Sequence, residues 1–220
     1  MITTETDETH FYFVRHGETE YNRRRIVQGS GIDSVLNDRG RAQVGALAGR
    51  LSDIAFDAIY ASPLQRTRQT TAIIAERQRD IPIQYLADLK EMAWGVYEGE
   101  PPSAERNREL DAIKQRWRNG AFDERIEGGE SIRDVERRAR RAVDQILDQE
   151  GRGQTVLVVT HGRFLRITLA SLLDGYDLHQ MHQIPHSNTA VNRVVHDGRR
   201  FTADLINCTA HLESLSNELA

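Results

Sequence analysis

The sequence predicts an α/β fold, a three-layer α/β/α sandwich with a mostly parallel central sheet and a helical insertion covering its site. Three observations carry this expectation. Short apolar runs rich in β-branched or aromatic residues, at 11–14, 56–61 and 155–160, read as buried strands. Stretches with apolar residues at helical spacing separate them, so successive strands are joined by crossovers and pair in parallel. Near the end, Asp197-Gly198 sits between two strand-like segments and marks a hairpin, which adds an antiparallel edge.

Taken in order, residues 1–9 read as a flexible polar tail and residues 10–220 as a single domain. Phe11-Tyr12-Phe13-Val14 is the first strand, and it ends abruptly in Arg15-His16-Gly17. Residues 20–31 lack periodicity, end in glycines and read as a loop over the strand end. Asn37 opens a helix whose inner stripe is Ala42, Val44, Leu47, Ala48 and Leu51. The second strand, 56–61, runs into Ser62-Pro63, where proline suits the start of a helix over 64–77 carrying Arg66.

Pro82 confines residues 81–86 to a sheet edge, because proline cannot donate to a central ladder. From 88 to 129 the chain is a glycine-bearing loop followed by a charged amphipathic stretch with Leu110, Ile113 and Trp117 at helical spacing. This is the expected cap insertion. A long helix then opens at Ser131, with Val135, Ala139, Ala142, Val143 and Ile146 inside and arginines outside, and stops at Gly151. The strand 155–160 leads to His161-Gly162 and a helix bearing Phe164, Leu165 and Leu169, and the hairpin 189–207 closes the fold.

The bulk properties narrow the function. A hydrophobic fraction of 39% with 28% charged residues is that of a globular domain with a core, not of a disordered chain. The net charge of -4 argues against nucleic-acid binding, which needs clustered cations. Cys208 is the only cysteine, so neither a disulfide framework nor a cysteine-based zinc cluster is expected. The acidic start lacks the pattern of a secretory signal and no apolar run has the length of a membrane span, so a cytoplasmic location without membrane partners is expected.

Two histidines emerging from two strand ends suggest one site. A phosphate monoester would find there what phosphoryl transfer requires, namely charge compensation and in-line positioning. Arg15 and Arg66 offer planar forks of donors that match phosphate oxygens, and a neutral imidazole is a competent nucleophile for phosphorus. Glu91, in a loop beside apolar residues, is the obvious proton source for a leaving alkoxide.

The blocks Arg15-His16-Gly17-Glu18-Thr19, Asn22, Gln28-Gly29, Ser62-Pro63-Leu64-Gln65-Arg66-Thr67, Glu91 with Gly95 and Glu98-Gly99, Gly129-Glu130-Ser131 and His161-Gly162 together resemble the histidine phosphatase superfamily. That resemblance implies that His16 is a phosphohistidine nucleophile, that Arg15, Arg66 and His161 form a phosphate pocket, and that Glu91 donates the proton. It implies further that Asn22, Gln28 and Gly29 line the pocket, and that Gly17 and Gly162 let the backbone approach the phosphate. Trp94 joins them as an expected substrate contact.

The resemblance implies no metal and no cofactor, and a small phosphorylated metabolite as substrate. Mutases of the family follow the glutamate with an arginine and a tyrosine, whereas this chain has Met92 and Trp94. The phosphatase branch is therefore expected, and a small, doubly anionic substrate is not. A phosphoglycerate mutase and a catalytically inactive binding protein on the same fold are the alternatives. His179, His182 and His186 carry no metal expectation, since Pro185 interrupts any helix that would align them. The arginines from 133 to 141 alternate with Asp134 and Glu136, as a solvated helix face does. An exposed edge strand leaves room for a homodimer.

Overall fold

The computed structural model describes residues 8–213 and 215. Its strands are β1 (Thr9–Arg15), β2 (Ala58–Ala61), β3 (Ile83–Tyr85), β4 (Thr155–Thr160), β5 (Val191–His196) and β6 (Phe201–Cys208), forming one sheet in the order β3-β2-β4-β1-β5-β6. The pairs β1/β4, β2/β4 and β2/β3 are parallel, while β1/β5 and β5/β6 are antiparallel. The sheet is mixed, as the combination of crossovers and a terminal hairpin requires.

Among the described residues the α-helices that accompany it are α1 (Glu20–Arg23), α2 (Asp38–Leu51), α3 (Gln65–Ala75), α4 (Ala104–Arg118), α5 (Ile132–Glu150) and α6 (Gly162–Leu172). The period-two alternation of the central strands sorts them into layers. Phe11 and Phe13 of β1, with Val156 and Val158 of β4, pack with Val135 and Ala139 of α5 and Phe164 and Leu165 of α6. Val14, Leu157 and Val159 turn the other way, onto Val44 and Leu47 of α2 and Ile74 of α3. Truncating a fully buried residue such as Phe13 to alanine removes about 3–5 kcal/mol of stability.

The helix ends follow their sequences. Asn37 caps α2 by accepting the N–H of Gly40, and Ser131 and Asp134 form a reciprocal capping box on α5. Gly151 ends α5 at a φ of 77, a conformation open to glycine. In α4 the buried side chains are Leu110, Ile113 and Trp117, and the Trp117 indole N–H donates to the Glu124 carbonyl at 3.1 Å.

The structure moves several boundaries. Residues 1–7 of the expected tail lie outside the described residues, and Thr9 belongs to β1, buried and paired with His196. The loop 20–31 begins with a helical turn, α1, because Thr19 and Asn22 form a capping box. β2 starts at Ala58 since Asp57 turns its carboxylate to the N–H of Thr155. Leu64 caps α3, so Pro63 precedes that helix instead of opening it. β3 is shorter than expected but does stand at the edge. No helix among the described residues is long and apolar enough to cross a membrane.

Candidate active site

Register places the site. Arg15 lies opposite Thr160 in the parallel pair β1/β4, so His16 and His161 leave the sheet side by side, with ring centroids 5.2 Å apart. Ala61 of β2 pairs with Val159, which brings Ser62 to the same level. The carboxyl ends of three parallel strands thus converge, where open α/β sheets hold their ligands. The antiparallel β5 enters from the same end, and the N–H of Thr189 donates to the Arg15 carbonyl at 3.1 Å.

His16 is almost fully buried, and its Nδ1 lies 2.7 Å from the Gly17 carbonyl. A carbonyl only accepts, so Nδ1 carries the proton and Nε2 keeps its lone pair. Burial first, then the charges of Arg66 and Arg15, hold this imidazole well below the ordinary histidine pKa, so it is neutral at physiological pH. Packing also requires a glycine at position 17. A Cβ there would meet the Gly40 carbonyl oxygen at 2.6 Å and Val44 Cγ2 at 2.8 Å, so the glycine admits α2 against the turn.

Arg15 donates through Nη1 to the His186 carbonyl, while its buried Nε has no hydrogen-bond partner among the described residues. Burial draws its pKa down to about 10, against the attraction of Glu91, and it remains a cation at neutral pH. Gly162 leaves space beside it: a Cβ there would meet His186 Cδ2 at 2.5 Å and Arg15 Nε at 3.2 Å.

Arg66 is fully buried and spans three elements. Its Nε donates to His161 Nδ1 at 3.1 Å, Nη1 to the Ile32 carbonyl at 2.6 Å and Nη2 to the Gly29 carbonyl at 3.1 Å. His161 therefore carries its proton on Nε2, which faces Ser62 Oγ at 2.8 Å. Burial, and next the charge of Arg66, keeps His161 well below the ordinary range too.

Glu91 is buried at the N-terminus of α6. Its Oε1 accepts from the N–H groups of Met92 and Phe164, at 2.8 and 3.0 Å, and its Oε2 accepts from that of Arg163 at 3.1 Å. The loop that carries it is gripped from behind. Arg138 donates to the carbonyls of Asp88 and Lys90, at 2.9 and 2.6 Å, and pairs with Glu130 at 2.8 Å. Glu130 in turn accepts the N–H of Ala93 at 2.8 Å. Arg138 is thus an exception to the expected solvated face of α5.

These groups border a cleft of about 230 Å³ lined by Arg15, His16, Asn22, Gln28, Glu91, Trp94 and Gly162, all anticipated from the sequence. Arg66 and His161 are fully buried and do not line it. Gly29 does not line the cleft; its carbonyl holds Arg66, and a side chain there would collide with Glu98 Oε1. Gln28 spends its amide on Thr19 Oγ1 and the Ser34 hydroxyl, so it shapes the wall. Trp94 packs edge-on against Trp117, with the Arg163 guanidinium 5.2 Å from its ring centroid.

Sequence reasoning missed Arg163, Lys114 and His186, which also line the cleft, and Asn188, which donates to the His16 carbonyl at 3.0 Å. Arg163 directly follows His161-Gly162, and that adjacency was a usable signal. Asn188 and His186 had none, because only the antiparallel entry of β5 brings them here. The other histidines do not converge: His179 Nδ1 donates to the Arg118 carbonyl and His182 Nδ1 to the His179 carbonyl.

Comparison with known proteins agrees with this geometry. Residues 11–209 match the model of the histidine phosphatase superfamily (branch 1). A broad-specificity phosphatase of Saccharomyces cerevisiae is 31% identical over 91% of this chain and 86% of its own length. A probable phosphoglycerate mutase, GpmB, of Yersinia pestis is 34% identical over 83% of each chain. Among solved structures, YhfR of Bacillus stearothermophilus is 32% identical and superposes with a TM-score of 0.82, covering 93% of this chain and all of that one (100%).

Proposed function

The chain belongs to the histidine phosphatase superfamily, branch 1, and from that membership we propose that it hydrolyses phosphate monoesters of small metabolites through a covalent phosphohistidine. The observation that carries the reading is the state of His16. Its Nδ1 proton is committed to Gly17, which leaves Nε2 with the lone pair, its ring is neutral, and the residue lines the cleft together with Arg15.

In the first step Nε2 of His16 attacks phosphorus and the ester C–O–P linkage opens at the P–O bond. Charge on the equatorial oxygens is met by Arg15, whose orphaned Nε is a donor in waiting, and by the second N–H of each Nη of Arg66, whose first goes to the Ile32 or Gly29 carbonyl. His161 adds its Nε2 proton once Ser62 yields it. The leaving alkoxide takes a proton from Glu91. In the second step Glu91 receives a proton from water as the water oxygen attacks phosphorus, releasing inorganic phosphate and restoring His16. Every charge is handled by side chains of this chain, so the reading calls on no metal.

Quenching the enzyme during turnover of a phosphorus-labelled monoester should trap an acid-labile, base-stable phosphoprotein, and His16→Ala should abolish both the label and the release of phosphate. Steady turnover by that variant would refute the mechanism. The similarity to a probable mutase supports a second reading, in which the phosphohistidine passes its phosphoryl group to another hydroxyl instead of water. Primer-dependent interconversion of phosphoglycerates that outpaces phosphate release would decide for it.

A further inference from the structure

Behind the Trp94 wall a second cavity of about 190 Å³ adjoins the cleft and shares Lys114 and Arg163 with it. Its lining is strongly cationic. Lys114 and Arg118 come from α4 and Arg163 and Arg166 from α6, with His182 at the rim and Trp117 and Met181 beneath.

The arginines here lack the ion pairs found on neighbouring surfaces. On α4 itself Arg116 pairs with Glu124, and on α5 Arg141 pairs with Asp88. By contrast, the Arg163 side chain makes no hydrogen bond or ion pair among the described residues; it lies over the Trp94 ring and is attracted by Glu91 without touching it. Arg166 donates to the Ile184 carbonyl at 2.7 Å and Arg118 to the Gln115 amide oxygen at 3.3 Å, both neutral groups. The sole carboxylate in the lining, Asp111, is engaged with Lys114 at 3.1 Å.

Cations that outnumber their counter-charges oppose one another: Lys114, Arg118, Arg163 and Arg166 share Asp111 in the lining, with Glu91 attracting Arg163 from the adjoining cleft. Burial chiefly, and then the charge of Arg166, draws Arg163 down to about 10 against the attraction of Glu91, and Arg118 acts on both. Such an arrangement costs stability unless an anion completes it. Its position says where the anion comes from: the shared residues make it an extension of the cleft, reachable by the far end of a molecule whose phosphate lies at His16.

We propose that Lys114, Arg118, Arg163 and Arg166 form a second anion subsite, so that the substrate carries a further phosphate or carboxylate besides the phosphate that is removed. This rests on the reading of the cleft as a phosphatase site. It also reverses the expectation drawn from Met92 and Trp94: cations absent from the glutamate loop are supplied from α4 and α6.

Matched pairs test it. Glycerol 3-phosphate against 3-phosphoglycerate adds a carboxylate, and fructose 6-phosphate against fructose 1,6-bisphosphate adds a phosphate. The expected result is a higher kcat/KM for the more anionic member of at least one pair, and a loss of about tenfold in that preference in the Arg118→Gln/Arg166→Gln variant, as for charge-assisted contacts. Which pair responds tells carboxylate from phosphate. Equal kcat/KM within both pairs, or a variant that lowers both members alike, overturns the subsite. Calorimetric binding of the same four compounds to the His16→Ala protein separates the two readings. Preferential binding of the more anionic members without any turnover by the wild type keeps the subsite and sinks the phosphatase. Turnover without preference does the reverse.

Discussion

Arg66 Nε–H donates to His161 Nδ1 across 3.1 Å, and this contact decides which nitrogen of His161 can serve a phosphate. With Nδ1 occupied as an acceptor, the proton sits on Nε2, beside Ser62 and level with the emergence of His16. One guanidinium thus orders an imidazole and, through the Ile32 and Gly29 carbonyls, the loop over the site.

Lysine cannot reproduce that fork, because an ammonium is a point donor on a flexible stem. Arg66→Lys should therefore lower kcat/KM by about 100-fold, in line with the loss of a preorganised donor. It should also cost roughly 3 kcal/mol of stability, since partners of a buried charge are left unmet. Steady-state kinetics and urea unfolding read the two effects, and activity within threefold of wild type would count against the role given to Arg66.

The two buried histidines make stability depend on pH in a defined sense. Both are neutral when folded and titrate near 6.5 when unfolded, so below 6.5 the unfolded chain binds more protons and stability falls with pH. Together they should remove about 3 kcal/mol between pH 7.5 and 5.5, each group contributing about 1.4 kcal/mol across that window. His186 and His211, brought by burial to about 3 and about 4, act in the same direction. Urea unfolding across that window measures the slope, and a flat profile contradicts neutral His16 and His161.

Much of this was legible in the chain. Phe11 to Val14 and Val156 to Val159 announce buried strands by composition, and parallel strands in register must release their next residues together. Side chains of dual character were harder to read. Arg138 stands three residues after Val135 and four before Ala142, on the apolar stripe of α5, yet it looks like one more arginine in a charged helix. Its position on the stripe was the clue that it turns inward. Gly17 was assigned to phosphate approach because its neighbours are catalytic in kind. Only the packing of α2 shows what a Cβ would strike.

Gly162 is the sharper test of backbone proximity. An alanine methyl there would stand 2.5 Å from His186 Cδ2 and 3.2 Å from Arg15 Nε, so His186 must rotate and Arg15 must yield. Gly162→Ala should lower kcat/KM about tenfold through misplacement of Arg15, and overpacking should cost about 1–3 kcal/mol. Orthovanadate affinity, read by inhibition, should weaken in parallel. A variant with unchanged inhibition would show that Arg15 does not answer to this contact.

The position of Glu91 against α6 can be tested through the leaving group. Nitrophenolate departs without a proton, whereas a sugar or glycerol alkoxide needs one. Glu91→Gln should therefore depress kcat/KM for an alkyl phosphate by roughly 100-fold or more while changing 4-nitrophenyl phosphate far less. Arg138 does not touch the cleft, but it holds the carbonyls of Asp88 and Lys90 just before Glu91 and pairs with Glu130, which holds Ala93 just after it. Arg138→Gln should reproduce the same selective defect in weaker form, and Arg138→Lys should recover part of it by restoring the charge opposite Glu130. If Arg138→Gln slowed both substrates equally, its grip on the loop would be a matter of stability alone. If it spared both, the Glu91 carboxyl would be placed by the α6 N–H groups without help from α5.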